Sequence, residues 1–314
     1  MKSNMYQSPK VIVLILSYNG KDLLEDSLSS YSQNTYDNFE IVVVDNGSSD
    51  GTVSYVNKNF PQVDIIRLEQ NRGYSGGFNF GLHYAYRQKN ADYVLITNND
   101  VKVDENVISA LMEVAVSDPM VGFVTGKAYY FDHPDTLQSV GKYEDMIRWN
   151  GDHIGSKEKD EGQYDEITER HFIDDIFMLT SRKVYDEVGD YNTLFFFSAE
   201  EYDWQARAKK ADYKIMYTPK AKIWHKESMT IGKQSAFKAF YDARNTMLVI
   251  LLHQTADYFR RFFWHQLKRK TRSALISCKQ LKFKAAWNKI SGIFSALWWG
   301  LRHQKLTIKH FIPV

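Results

Sequence analysis

Residues 11–16, VIVLIL, are an unbroken apolar run, and IVVV at 41–44 and YVLIT at 93–97 repeat the pattern. Apolar runs of this length without polar alternation predict strands covered on both faces, as in parallel sheets. A further strand is predicted at 63–68. Between the strands, leucines at 23, 24 and 28 recur at helical spacing within 22–31, a helix is predicted over 53–58, and Phe80, Tyr84 and Arg87 lie along another over 77–89. Strand–helix units repeated at this length predict an α/β fold with a mostly parallel, Rossmann-like central sheet and helices on both faces.

Beyond this half the pattern loosens. Gly, Asp, His and Lys are frequent from 127 to 170 and periodicity is weak, so the stretch reads as a lobe over the site rather than a separate core. Residues 172–180 are again mostly apolar, and 186–190 read as a helix end and turn. Residues 195–204, FFFSAEEYDW, open a helix that runs to about 210, and a strand over 221–224 leads to His225. No internal repeat is visible.

Composition narrows the class. With 44% hydrophobic and 15% aromatic residues, six prolines and 17 glycines, the 314-residue chain is neither disordered nor low-complexity. Its one cysteine, Cys278, forms no internal disulfide or thiolate zinc cluster, which fits a reducing compartment. The apolar run at 11–16 is too short for a secretory signal core, and the run at 290–301 is too short to span a bilayer, which takes about 20 residues. Neither a signal peptide nor a transmembrane segment is expected. The net charge of +2 conceals an asymmetry: residues 256–314 hold 13 Lys/Arg and one acid, Asp257, while the rest holds 27 basic and 37 acidic residues.

Ligands of parallel α/β sheets sit beyond the carboxyl ends of the strands. Three polar clusters fall there: Ser17-Tyr18-Asn19, Asp45-Asn46-Gly47 and Asn98-Asn99-Asp100. Strand-to-helix loops are often polar for capping reasons alone, so the clusters gain meaning from what accompanies them. The segments VIVLILSYNG, IVVVDNGSSDGT, NRGYSGGFNFG, YVLITNND, EEYDW, IWHKES and YDARN, in this order, resemble the family-2 inverting glycosyltransferases of GT-A fold, and within them a rhamnosyltransferase-like branch.

That resemblance implies a catalytic domain over 1–245, with a nucleotide-binding half at about 1–126 and an acceptor-side half at 127–245. It implies a nucleotide diphosphate sugar donor (dTDP- or UDP-linked, with dTDP-L-rhamnose first and a UDP-hexose second) and a saccharide or lipid-linked acceptor. A non-catalytic nucleotide- or carbohydrate-binding relative is the alternative of another class. Asp45 is implied to accept a hydrogen bond from a pyrimidine N–H, with Ser17, Tyr18 and Asn19 walling that pocket. Gly76 and Gly77 allow close backbone approach to the donor, and Asn79 reaches its sugar or ribose. Asp100 takes the position of the family's metal-binding acid, for Mn2+ or Mg2+, with Asn98 or Asn99 contacting ribose or phosphate. The family's first aspartate is here Asn98. His225 completes the metal site or contacts the diphosphate, and Arg244 lies near the phosphates or the domain junction.

Inverting transfer needs a base for the acceptor hydroxyl. The Glu200–Glu201 pair stands where the family has its Glu-Asp pair, and Glu201 is the implied base. Repulsion between adjacent carboxylates is expected to raise one pKa. Asp174, Asp175, Asp203 and Trp204 are implied on the acceptor side.

The C-terminal region, 246–314, mixes aromatics with Lys and Arg on expected helices. It reads as an interfacial anchor for a membrane surface, placing the protein on the cytoplasmic face of a membrane. The alternative is that these aromatics pack on the catalytic domain or a second subunit, and an oligomer is possible. No recognition module for nucleic acid is present.

Overall fold

The computed structural model describes residues 8–145, 152–226 and 236–312; Glu227 and Ser228 of the IWHKES segment lie outside them. Among the described residues the strands join in one sheet. They are β1 (Val11–Ser17), β2 (Phe39–Asp45), β3 (Asp64–Arg67), β4 (Tyr93–Asn98), β5 (Val101–Val103), β6 (Val121–Tyr130), β7 (His133–Ser139), β8 (Thr168–Glu169), β9 (Phe177–Ser181) and β10 (Lys214–His225). The order is β3-β2-β1-β4-β9-β6-β10-β5, with β7 on β6 and β8 on β10.

The half of the sheet from β3 to β4 is parallel. Strand β9 then runs antiparallel to both β4 and β6, so the sheet is mixed. Register fixes the site's floor. Ser17 pairs with Asp45 on one side of β1, and Leu16 pairs with Asn98 on the other. All three polar clusters therefore end on one edge, where the strand order reverses around β1.

Helices α1 (Leu24–Ser32), α2 (Thr52–Asn59) and α4 (Val107–Ala115) cover one face, packing on Val11, Val13, Ile15, Ile41 and Val43. The other face, with Ile12, Leu14, Val42 and Val44, carries α3 (Gly73–His83), α5 (Arg182–Val188), α6 (Glu200–Lys209), α7 (Ala236–His253) and α8 (Ala256–Lys279). A last helix, α9 (Phe283–Arg302), packs on α7 and α8. The alternation of odd and even positions between two cores explains the unbroken apolar runs.

The glycine-rich stretch is helical, not an open turn before a helix. A Cβ at Gly77 would lie 2.5 Å from Leu16 Cδ1, and one at Gly81 2.5 Å from Leu14 Cδ1. Missing side chains let α3 close onto β1 and β2, which outweighs the roughly 1 kcal/mol that each glycine costs a helix.

The 127–170 stretch is a hairpin extension of the same sheet with a small cluster of its own, built on Tyr129, Leu137, Val140, Ile154 and Tyr217. The buried Lys127 ties it down through Asp160 at 2.8 Å and Asp165 at 2.6 Å. Residues 245 and 246 are consecutive within α7. Phe259, Phe262 and Phe263 of α8 are buried in the core shared with the sheet, so this part of the basic region packs on the body.

Candidate active site

One end of the crevice is built from the carboxyl ends of β1 and β2. Asp45 is fully buried; Oδ1 accepts the Ser48 backbone N–H at 3.3 Å, while among the described residues Oδ2 has no hydrogen-bond partner. Its nearest cation, the exposed Arg67, stands off at 3.9 Å. A buried acceptor without a donor costs about 1–3 kcal/mol, which a ligand N–H would return. Asn19 adopts a left-handed backbone (φ 48°) and bridges two loops: its N–H donates to Ser48 Oγ and its Oδ1 accepts the Ser49 N–H, both at 2.9 Å. Tyr18 is 40% exposed beside it.

Asp100 follows β4, and the chain returns at once as β5, which pairs antiparallel with β10 so that Val101 faces His225. That register brings Asp100 Oδ1 and His225 Nε2 to 3.2 Å, both buried. They are close but not aligned as a hydrogen bond, and among the described residues neither atom has another partner. His225 Nδ1 lies 2.9 Å from Gln138 Oε1. An amide oxygen only accepts, so this contact calls for a proton on Nδ1, and the neutral ring then has its lone pair on Nε2. A carboxylate oxygen and an imidazole lone pair, buried side by side, fit a divalent cation. Asn99 Nδ2 donates to Ser17 Oγ at 3.2 Å, tying this corner to the end of β1.

Tyr74 links the two ends of the crevice. Its hydroxyl reaches Asn98 Oδ1 at 2.9 Å and Asp175 Oδ1 at 3.3 Å. Asp175 also accepts from Tyr191 at 2.9 Å. Carboxylate oxygens of Asp175, Glu200 and Glu201 all lie within 4.8 Å of one another, and all three residues are buried. Burial first, then the charges of Glu201 and Asp175, pushes Glu200 well above the ordinary carboxylate range. For Glu201 the causes are burial, then Asp175 and Asp174. Asp175 is raised to about 7, mainly by burial. Asp174 goes the other way: burial would raise it, but Lys142, His153 and the Tyr202 hydroxyl together hold it well below the usual range. Neighbouring carboxylates with opposite shifts are the pattern of acid–base sites.

The backbone aims the pair. Ser198 and Ala199 both have φ of 72°, a left-handed conformation that costs non-glycine residues about 1–3 kcal/mol each. Asn245 on α7 holds the turn by donating to the Phe197 and Ser198 carbonyls at 2.8 and 2.9 Å, and Ser198 Oγ donates to Asp242 at 2.9 Å. The turn delivers Glu200 and Glu201 as the first residues of α6.

Residues 12–189 match the family model for glycosyl transferase family 2. The chain belongs to that family. It is a glycosyltransferase, and similar curated proteins agree. It is 26% identical over 231 residues to a poly-beta-1,6-N-acetyl-D-glucosamine synthase of Staphylococcus aureus strain MSSA476, covering 73% of this chain and 53% of that protein. It is 26% identical over 234 residues to the synthase of the same name from Staphylococcus epidermidis, covering 74% and 53%. The chain spans about half the length of these relatives. Its fold is that of a mannosyltransferase from Pyrobaculum calidifontis in complex with GDP-Man and Mn2+ (TM-score 0.55, 15% identity, covering 97% of this chain and 83% of that one). GalNAc-T7, solved with UDP, GalNAc and Mn2+, also shares it (TM-score 0.63, 13% identity, 95% and 58%).

Within this glycosyltransferase, Ser17, Asp45, Asn98, Asn99, Asp100, His225, Asp175, Glu200 and Glu201 are joined by direct contacts or share one edge of the sheet. Other expected residues are placed differently. Gly77 lies against Leu16 and serves the packing of α3, while a Cβ on Gly76 would meet only the Arg72 side chain. Asn79 is spent on Tyr191, donating to its carbonyl at 2.7 Å and accepting its N–H at 3.0 Å. Arg244 donates to the Leu194 carbonyl and to Asn245, bracing the turn before α6. Asp203 is buried between Arg207 and His253, and Trp204 packs in the core on Phe123 and Tyr191, so neither lines an acceptor surface. Asp174 is paired with Lys142 and His153. Tyr74, Tyr191 and Gln138 are site residues that no spacing singled out.

The raised carboxylates carry a stability cost with a definite sign. Between the ordinary carboxylate pKa and about 7, the folded chain holds protons that the unfolded chain has lost. The contribution of these raised groups to stability is therefore fullest below about pH 4 and is lost as pH rises through the raised values. Glu200→Gln removes one such group. Its Tm is expected to exceed the wild type's at pH 8 by roughly 2–4 °C, the shift about 1 kcal/mol makes in a domain of this size. The gain should shrink as pH is lowered toward the ordinary carboxylate range; calorimetry across the range checks it.

Proposed function

We propose that this glycosyltransferase moves a sugar, with inversion and with a divalent cation, from a nucleotide diphosphate donor to a hydroxyl of a glycan or lipid-linked saccharide in cell-surface polysaccharide assembly. One observation carries the reading: buried polar atoms without partners among the described residues, and buried carboxylates whose proton affinity is raised by burial and by one another, occur together along one crevice. Asp45 Oδ2 accepts the base N–H. Asn98 and Asn99 flank the ribose and phosphates. Asp100 and His225 would hold the cation, Mn2+ or Mg2+, whose charge would offset that of the diphosphate leaving group. The acceptor oxygen attacks the anomeric carbon as the bond to the phosphate oxygen breaks. The hydroxyl proton passes to Glu201, and the diphosphate leaves with the bonding electrons.

The catalytic unit in this reading is residues 1–245. We place its work at the cytoplasmic face of a membrane, which the lone Cys278 and the basic C-terminal region both fit; among the described residues, no helix is long and apolar enough to cross a membrane. The donor proposed is dTDP-L-rhamnose, on the likeness of the motif segments to that branch. A UDP-linked hexose or N-acetylhexosamine is the second reading, which the names of the staphylococcal relatives favour. A thermal-shift and turnover panel of these donors with Mn2+ tests both. One donor should stabilise the chain and be hydrolysed or transferred. A donor that binds and is never turned over, by any acceptor or by water, would contradict the proposal.

A further inference from the structure

The basic C-terminal region divides into a packed part and an uncovered part. On α9, Phe283, Trp287, Phe294, Trp298 and Leu301 recur at spacings of 4, 7, 4 and 3, which places them on one helical face. They are 62%, 70%, 64%, 68% and 58% exposed. The opposite face, with Ala286, Ile293 and Ala296, is buried. Rolling the helix would not hide the stripe: a Cβ on Gly292 would already lie 2.5 Å from the Phe240 carbonyl oxygen of α7, so only the small-residue face fits there. The turn before α9 adds Leu281, 77% exposed.

A row of large aromatics this exposed marks an interaction surface, and the surrounding charge selects its partner. Helix α9 contains no acidic residue. Exposed Lys284, Arg302 and Lys305 stand beside the stripe. Asp257, the one acid in residues 256–314, is occupied by Arg260 and Arg261. A second copy docking about a two-fold axis would set these cationic rims against each other. Among the described residues, no helix is long and apolar enough to cross a membrane. We propose that the exposed face of α9 lies flat on an anionic lipid bilayer, with the aromatic stripe at the headgroup–acyl boundary and the cations on lipid headgroups. This goes beyond the sugar-transfer reading and does not depend on it.

The test uses the full chain and vesicles of phosphatidylcholine alone or with phosphatidylglycerol. The wild type should float with the anionic vesicles, release at high salt, and show a blue-shifted tryptophan emission on binding. Trp287→Ser/Trp298→Ser should weaken flotation by at least about tenfold, with circular dichroism, Tm and turnover of a soluble acceptor unchanged. Lys284→Glu/Arg302→Glu should weaken binding to anionic vesicles about fivefold or more per charge. The proposal is overturned if the tryptophan variant floats like the wild type. It is also overturned if the wild type ignores both vesicles but sediments as a dimer that the tryptophan variant dissociates, which would assign the stripe to a second copy of this chain.

Discussion

Glu201→Gln is expected to lower kcat by about 10²–10⁴-fold, the usual contribution of a positioned general base, and to leave donor affinity within a few-fold of the wild type. The two effects separate because the Glu pair and Asp45 lie at opposite ends of the contact chain through Tyr74 and Asn99. The wild type should also show a kcat that rises with pH above the ordinary carboxylate range. Burial, Asp175 and Asp174 all favour the protonated form of Glu201, and only the ionised form takes a proton. Residual turnover by Glu201→Gln should lack this limb. Stopped assays over a pH series, with donor Kd from calorimetry, decide the point. If Glu201→Gln keeps both the rate and the limb while Glu200→Gln loses them, the base is Glu200.

Asp100→Asn is the second large effect. Replacing a charged ligand by a neutral amide should weaken Mn2+ binding and lower metal-dependent turnover by about 10²-fold or more, since a bound cation supplies several kcal/mol of charge stabilisation. Gln138→Leu offers a graded companion. It touches no substrate but removes the partner that fixes the His225 ring, and such changes cost about 10–100-fold in metal affinity or activity. Mn2+ titration calorimetry reads both variants without an assay. Unchanged Mn2+ binding in Asp100→Asn would place the metal elsewhere. Glu201→Gln serves as the control whose Mn2+ affinity should not move.

The parallel half of the sheet was legible because strands buried on both faces leave apolar runs with no alternation, and the polar residues closing them fall where such sheets bind ligands. Asp45, Asp100 and the glutamate pair were legible for the same reason, each standing at the end or start of an element. Strand β9 was not: its antiparallel direction depends on how the chain returns from the 127–170 hairpin, which no local pattern encodes. The helix over Gly73–His83 was obscured because glycine spacing reads as a turn, and its true cause is the approach of Leu14 and Leu16. Asn79 looked available because its partner, Tyr191, lies 112 residues away. Asp203 carries a local signal of its role. Arg207 stands four residues on, the spacing of a helical ion pair, which directs the carboxylate along the helix and away from the crevice.

Two groups in this crevice offer ligands that suit a divalent cation: Asp100 with His225, and Asp175 with Glu200 and Glu201. Anomalous scattering from crystals grown with Mn2+ and the nucleoside diphosphate separates them in one experiment. The expected result is a manganese peak touching Asp100 and His225, the base against Asp45, and a glutamate pair free of metal. A manganese peak among Asp175, Glu200 and Glu201, with Asp100 and His225 bare, would contradict the division of labour between leaving-group and proton-transfer ends.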